Sequence, residues 1–226
     1  MTGMLASVNN LAEAKLVLAE QVNIIDLKEP ASGALGSLDL SLVKHIVAFV
    51  NEQCPVSATI GDLPMQPELI FNAVKAMLAT GVDYVKIGFF AGVYQAQVIE
   101  KLVPLAAHSN LIAVLFADSQ FSYRLIDQLV QAGFKGIMLD TEDKTKGSLT
   151  TVRTLDEIEH FVDYVKSRHV MCGLAGSLAL EDIPILMSYQ PDYLGFRGAL
   201  CDQHKRTGQL DIKSIQTLKR AITTPS

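Results

Sequence analysis

Eight short runs of β-forming residues alternate with eight amphipathic stretches along the 226 residues of the chain. The strand candidates are Met4–Val8, Val22–Leu27, Val56–Ile60, Tyr84–Phe89, Leu111–Ala117, Gly136–Asp140, Val170–Leu174 and Tyr193–Arg197. Apolar residues recur at helical spacing in Asn10–Glu20, Leu40–Gln53, Pro67–Thr80, Gly92–Ala107, Ser122–Ala132, Leu155–Ser167, Leu180–Met187 and Ile212–Ile222. Eight regular β-then-α units predict a single α/β domain over residues 1–226, a (β/α)8 or TIM barrel.

An open, doubly wound parallel sheet is the alternative architecture. The apolar strands suit either fold, because parallel sheets are covered by helices on their faces. Eight regular units favour closure, and the chain has the roughly 200 to 250 residues that such barrels need. No linker, low-complexity segment or charge block marks a domain boundary.

Composition limits the classes of function. The chain is 49% hydrophobic and 19% charged with a net charge of −5, which excludes a disordered protein and argues against nucleic-acid or membrane partners. The three cysteines lie far apart and predict inert thiols in a reducing compartment. We see no signal peptide and no apolar run of the ~18 residues that span a bilayer, so we expect a cytoplasmic protein. The apolar composition and modest charge predict a homo-oligomer.

Strand parity points three charged side chains into the barrel. In VNIIDLKEP, Asp26 and Lys28 share one face, and Lys86 occupies the same kind of position in VDYVKIGFF. A lysine among apolar strand residues costs free energy unless it is paired or functional. Two structural alternatives remain open, namely a buried Asp–Lys pair for Lys86 and an exposed rim position for Lys28.

The sixth strand ends in LDTEDKTKG and adds Asp140 and Lys144 at the same end of the barrel. Asp118 follows the fifth strand at this rim, and Lys146 lies nearby without a defined role. Several lysines around one cavity lower each other's affinity for protons, so one amine can be neutral near pH 7 and attack a carbonyl. Carboxylates beside it can transfer protons. The pattern therefore indicates Schiff-base chemistry.

The exits of strands 7 and 8 read CGLAGSL and FRGAL. In many barrels these two loops bind phosphate through backbone N–H groups and a helix N-terminus. We therefore expect Gly176, Ser177, Arg197 and Gly198 to bind a substrate phosphate, although glycine turns also occur simply as tight connections. The five histidines do not form a metal-ligand pattern, and we expect neither a metal nor a cofactor.

These segments resemble one known family over essentially the whole chain. The resemblance rests on IIDLKEPASGALG at 24–36, VSATIGDLP at 56–64, DYVKIGFF at 83–90, MLDTEDKTKGSL at 138–149, GLAGSL at 173–178 and DYLGFRGALC at 192–201. The chain is similar to the (5-formylfuran-3-yl)methyl phosphate synthases, which act first in methanofuran biosynthesis. The DLKEP-to-GALG stretch and the VSATIGD strand carry most of the specificity.

The resemblance implies a Schiff-base barrel that joins two molecules of glyceraldehyde 3-phosphate with loss of phosphate and water. It implies the Schiff base at Lys28, further essential lysines at Lys86 and Lys144, and acid/base carboxylates at Asp26 and Asp140. Two other functions fit the residues alone. One is a different Schiff-base aldolase acting on sugar phosphates, and the other is a non-catalytic barrel that binds phosphosugars.

Overall fold

The computed structural model describes residues 1–223. The strands are β1 (Gly3–Val8), β2 (Ile24–Leu27), β3 (Val56–Thr59), β4 (Tyr84–Gly88), β5 (Asn110–Phe116), β6 (Gly136–Asp140), β7 (Met171–Leu174) and β8 (Tyr193–Phe196). The helices are α1 (Leu11–Ala19), α2 (Leu40–Val50), α3 (Pro67–Leu78), α4 (Gln95–Ala106), α5 (Tyr123–Gln131), α6 (Leu149–Val152), α7 (Leu155–Lys166), α8 (Ile183–Ser188) and α9 (Ile212–Thr223).

The eight parallel strands form a closed barrel in chain order. Strand β1 pairs with both β2 and β8, so the sheet has no free edge. The TIM-barrel prediction is confirmed, and the open doubly wound sheet is excluded. None of the described helices is long and apolar enough to cross a membrane.

Alternation along the strands creates two apolar cores. Residues such as Ile25, Val85 and Ile137 point outward and pack against the helices. A smaller cluster inside the barrel includes Leu5 and Tyr193. Because successive strand residues face opposite sides, the charged residues between the outward positions must point into the barrel.

The structure differs from the prediction mainly at element ends. Helix α4 begins at Gln95 rather than at residue 92, and its first side chain donates to the carbonyl of Phe90. The predicted helix at 180–187 consists of a 3₁₀ turn followed by α8. Between β6 and α7, a 3₁₀ turn at 144–146 and the four-residue α6 occupy a segment for which the sequence predicts neither helix nor strand.

Candidate active site

A cavity of about 390 Å³ opens where the strands end at the carboxyl face of the barrel. Its walls include the side chains of Asp26, Lys28, Lys86, Asp140 and Lys144. Asp26, Lys86 and Asp140 come from the alternate strands β2, β4 and β6. Lys28 directly follows β2, and Lys144 lies in the loop that follows β6. The chain thus brings together the five residues for which the sequence predicts catalytic roles.

Asp26 and Lys86 form a buried ion pair in the middle of the barrel. Their side chains are at most 2% exposed, and Lys86 Nζ lies 2.7 Å from Asp26 Oδ1. Sheet register places Ser7 and Ser57 beside Asp26, and their hydroxyls donate to its two oxygens at 2.9 and 2.7 Å. Burial alone would raise the pKa of Asp26, but the charges of Lys86 and Lys28 and the hydrogen bonds from Lys86 and Ser57 bring it below the ordinary value. Asp26 is therefore a carboxylate that is already contacted by three donors.

Asp140 and Lys144 form a second pair at the end of β6. Lys144 Nζ donates to the Asp140 carboxylate and to the carbonyl of Thr141. Burial acts to raise the pKa of Asp140, yet the Lys144 and Lys28 charges and the N–H of Thr141 lower it overall. The loop is anchored from β5, because Asp118 accepts the N–H groups of residues 142 and 143 at 2.7 and 2.8 Å. Lys146 is 53% exposed and lies outside the cavity lining.

Lys28 differs from both other lysines because its amine is unpaired. Its residue is 7% exposed, and Nζ makes no ion pair or hydrogen bond with any described residue. Burial lowers the pKa of Lys28 from 10.5 to about 8; the Asp140 and Asp26 charges oppose this change, while the Lys144 and Lys86 charges reinforce it. With this pKa, roughly a tenth of the amine is neutral at pH 7. A neutral amine can attack an aldehyde or ketone.

The strand-7 and strand-8 exits meet on one wall of the cavity. The backbone N–H groups of Gly176, Ser177 and Gly198 donate no hydrogen bond to residues 1–223, and all three residues line the cavity. Gly176 and Ser177 have positive φ values of 113° and 49°. Unpaired N–H groups at a cavity wall suit an oxyanion, so the predicted phosphate turn has the required donors.

Arg197 lies at this wall but departs from its predicted role as a phosphate ligand. Its guanidinium donates to both carboxylate oxygens of Glu13 and to the carbonyls of Ser7, Arg206 and Gly208. These bonds use all five N–H groups of an arginine side chain. Arg197 is therefore placed to hold the β8 loop against β1 rather than to bind an anion.

The most specific sequence motifs, in the segments after β2 and β3, are held together by hydrogen bonds. Asp62, from the VSATIGD motif, accepts the N–H groups of Ala34 and Leu35 at 2.7 and 2.8 Å. Gly33 has φ +102°, and a Cβ atom there would lie 2.0 Å from Asp62 Oδ2. Only glycine allows this approach, so the ASGALG and SATIGD segments of this chain depend on each other for their packing.

Sequence reasoning missed several residues of the site. Ser7 and Ser57 stand at inward positions by the same parity that identified Asp26, so that signal could have found them. Glu13 lies on α1 and Arg206 on an irregular loop, where no strand alternation operates. No group of three or more His, Cys, Asp or Glu residues that could hold a metal occurs within residues 1–223.

Comparison with known proteins identifies the family of the chain. Residues 4–219 match the family model described as 4-HFC-P synthase. The chain belongs to this family. Because the curated members are synthases of methanofuran biosynthesis, the protein is an enzyme, and the family inferred from its motifs is confirmed.

The relatives match over most of their length. The (5-formylfuran-3-yl)methyl phosphate synthase of Methanocaldococcus jannaschii is 32% identical over 96% of this chain and 97% of its own. A Methylorubrum extorquens protein that carries the same name provisionally is 38% identical over 92% of this chain and 86% of its own. Among solved structures, 3-keto-L-gulonate-6-phosphate decarboxylase from Vibrio cholerae aligns with a TM-score of 0.69 at 12% identity. It covers 98% of this chain and 97% of its own, and it shares the fold.

Proposed function

We propose that this enzyme condenses two molecules of glyceraldehyde 3-phosphate into (5-formylfuran-3-yl)methyl phosphate through a Schiff base on Lys28. The balanced reaction releases one inorganic phosphate and two molecules of water. One observation carries the assignment of the nucleophile. Lys86 and Lys144 are each paired with a carboxylate, whereas Lys28 is buried, unpaired and has a pKa of about 8.

The reaction begins when the neutral Lys28 amine adds to the carbonyl of one triose phosphate and expels water. The resulting iminium withdraws electrons from the adjacent carbon, so that a proton there can be removed. Aldol bonding to the second triose, β-elimination of phosphate and dehydrative ring closure follow, and each needs proton transfers near the same carbons. Hydrolysis of the imine frees Lys28.

The paired residues have separate tasks in this scheme. Asp140 exerts the strongest charge effect of any carboxylate on Lys28, which suits it to move protons at the imine. The buried Asp26–Lys86 pair supplies fixed charges beneath the reacting carbons, and Lys144 supplies positive charge above them. The N–H groups of the glycine turns hold one substrate phosphate.

Product analysis tests the reaction. Wild-type enzyme incubated with glyceraldehyde 3-phosphate should yield the furan phosphate by mass spectrometry and release inorganic phosphate. A different product would indicate another Schiff-base aldolase. Absence of both product and covalent adduct would indicate a binding protein without this activity.

Borohydride reduction during turnover tests the nucleophile. It should fix substrate carbon on Lys28 as a secondary amine, and an adduct on Lys86 would transfer the Schiff base to that residue. The Lys28→Arg variant should fold and lose at least ~100-fold in turnover, because a guanidinium remains protonated. Lys146→Arg is the matched control, since Lys146 is exposed and outside the cavity. An active, untrapped Lys28→Arg enzyme would eliminate the Schiff-base assignment.

A further inference from the structure

Two arginines line the cavity, and they differ in what their donors contact. All five N–H groups of Arg197 bind protein atoms. Arg206, by contrast, makes a single side-chain hydrogen bond, from Nη2 to the carbonyl of Gly33 at 2.9 Å. It forms no ion pair with any carboxylate of residues 1–223. Most of its guanidinium donors are available to a ligand.

Arg206 is held between two fixed loops. Its backbone carbonyl accepts a hydrogen bond from Arg197 Nε at 2.7 Å, which ties this segment to the end of β8. On the other side, Gly33 precedes the backbone that Asp62 clamps. The half-buried guanidinium is thereby presented to the cavity without a large loss of side-chain freedom on binding.

In the proposed reaction, the second substrate phosphate finds no partner among the lysines of the cavity. Two triose phosphates bring two phosphates, and the glycine turns are suited to hold one. Lys86 and Lys144 are each engaged by a carboxylate, and Lys28 must react with the carbonyl. Among the cavity-lining cations whose contacts the structure describes, Arg206 alone keeps several donors in the planar fork that matches a phosphate.

We propose that Arg206 forms a second phosphate subsite, where its guanidinium lies beside Gly33, that binds the phosphate of the other triose. This inference rests on the proposed condensation, because only a reaction of two phosphorylated substrates requires two such subsites. One subsite then holds the phosphate that stays in the product, and the other holds the phosphate that is released.

Kinetics and crystallography together test the subsite. Arg206→Ala should raise the KM for glyceraldehyde 3-phosphate by roughly tenfold or more, the loss of a charge-assisted bidentate contact. Arg206→Lys should recover part of it, because the charge remains and the fork is lost. Lys205→Ala is the control, since this neighbour is exposed and does not line the cavity, and its KM should stay at the wild-type value.

Crystals soaked in inorganic phosphate give a readout that does not depend on turnover. Wild type and Lys205→Ala should show anions at both the glycine turns and Arg206, and Arg206→Ala should retain only the first. An Arg206→Ala enzyme with wild-type KM, or wild-type crystals without an anion at Arg206, would overturn the subsite while leaving the condensation intact. A wild-type enzyme that makes no furan product would instead overturn the condensation, with the soak still reporting on the anion site.

Discussion

Lys28 destabilises the fold near neutral pH. Its pKa of about 8 in the folded protein is below the ordinary 10.5, so folding favours the neutral amine. The cost of the charged form is largest below pH 8 and disappears as the pH rises past 10.5. The difference corresponds to roughly 3 kcal/mol.

Replacing Lys28 by a neutral side chain of similar length should therefore stabilise the protein. We expect Lys28→Met to raise the free energy of unfolding at pH 7 by about 1 to 3 kcal/mol and by much less near pH 10.5. Urea denaturation at the two pH values measures this effect. Lys146→Met should change stability by less than about 0.5 kcal/mol, because that side chain is exposed. A destabilised Lys28→Met protein at pH 7 would show that the Lys28 charge is satisfied in the fold.

In the proposed reaction the same pKa controls the reactivity of the Lys28 amine, with Lys144 as one of its determinants. The rate of adduct formation with substrate should rise about tenfold per pH unit below pH 7 and level off above about 8. In Lys144→Met, a positive neighbour is lost and Asp140 is left unpaired, and both changes raise the pKa of Lys28. The midpoint of the profile should move to higher pH, as measured by borohydride trapping at a series of pH values. An unchanged midpoint would contradict the proposed influence of Lys144.

Strand parity predicts part of the site at the level of single residues. Alternation identified Asp26, Lys28 and Lys86 as inward because a strand fixes where each side chain points. It gives no information about partners, so it could not distinguish a paired Lys86 from an unpaired Lys28. The sequence likewise does not indicate the partners of Arg197 and Arg206. Only the folded chain shows which of the two has free N–H donors.

At the scale of elements, the turn after β7 touches the end of β6. Gly176 has φ +113°, and a Cβ atom there would lie 2.9 Å from Thr141 Cγ2 and 3.0 Å from the Thr141 nitrogen. Thr141 in turn accepts a hydrogen bond from Lys144. The turn after β7 and the Lys144 loop therefore depend on each other for their positions.

Gly176→Ala should disturb the turn after β7 and the Lys144 loop together. We expect a loss of about 1 to 3 kcal/mol in the free energy of unfolding from the backbone strain, with a higher KM because the N–H groups move. Thermal unfolding and steady-state kinetics measure the two effects. Gly92→Ala is a matched control, since its φ is not positive and its Cβ would meet Met65 at an ordinary 3.6 Å. If the two variants had the same free energy of unfolding and the same KM, the turn after β7 and the Lys144 loop would not depend on each other.

Helices and strands can be predicted where the apolar residues keep one period over many positions. They are harder to predict where contacts with distant residues determine the local structure. The segment after β6 has no extended apolar period, and its shape depends on distant partners. Asp118 holds its start, and Arg153 donates at its end to the carbonyls of Ala117 and Ser119 at 2.6 and 3.0 Å. A local sequence pattern does not encode such contacts, so the 3₁₀ turn and α6 were not predicted.

At the scale of the whole molecule, the barrel closes where β8 meets β1. The buried Glu13–Arg197 pair joins α1 to the end of β8 at this seam, with side chains 8% and 6% exposed. Removing one partner leaves the other charge buried without compensation, which is strongly destabilising.

Glu13→Ala should lower the free energy of unfolding by about 3 to 5 kcal/mol. Glu13→Gln should lose less, because its amide oxygen can still accept a hydrogen bond from Arg197. Urea denaturation compares both with Glu159→Ala, an exposed position on α7. A Glu13→Ala protein as stable as Glu159→Ala would mean that the seam does not depend on this pair.

The spacing of the site along the chain makes catalysis a reporter of refolding. The charges that set the pKa of Lys28 come from β2, β4 and the end of β6, so neither half of the chain contains the whole environment of the amine. Far-ultraviolet circular dichroism registers secondary structure in a half-formed barrel as readily as in a complete one. Recovery of the reactive amine after dilution from denaturant instead times the assembly of the two halves, and it separates late closure from the earlier formation of individual β–α units.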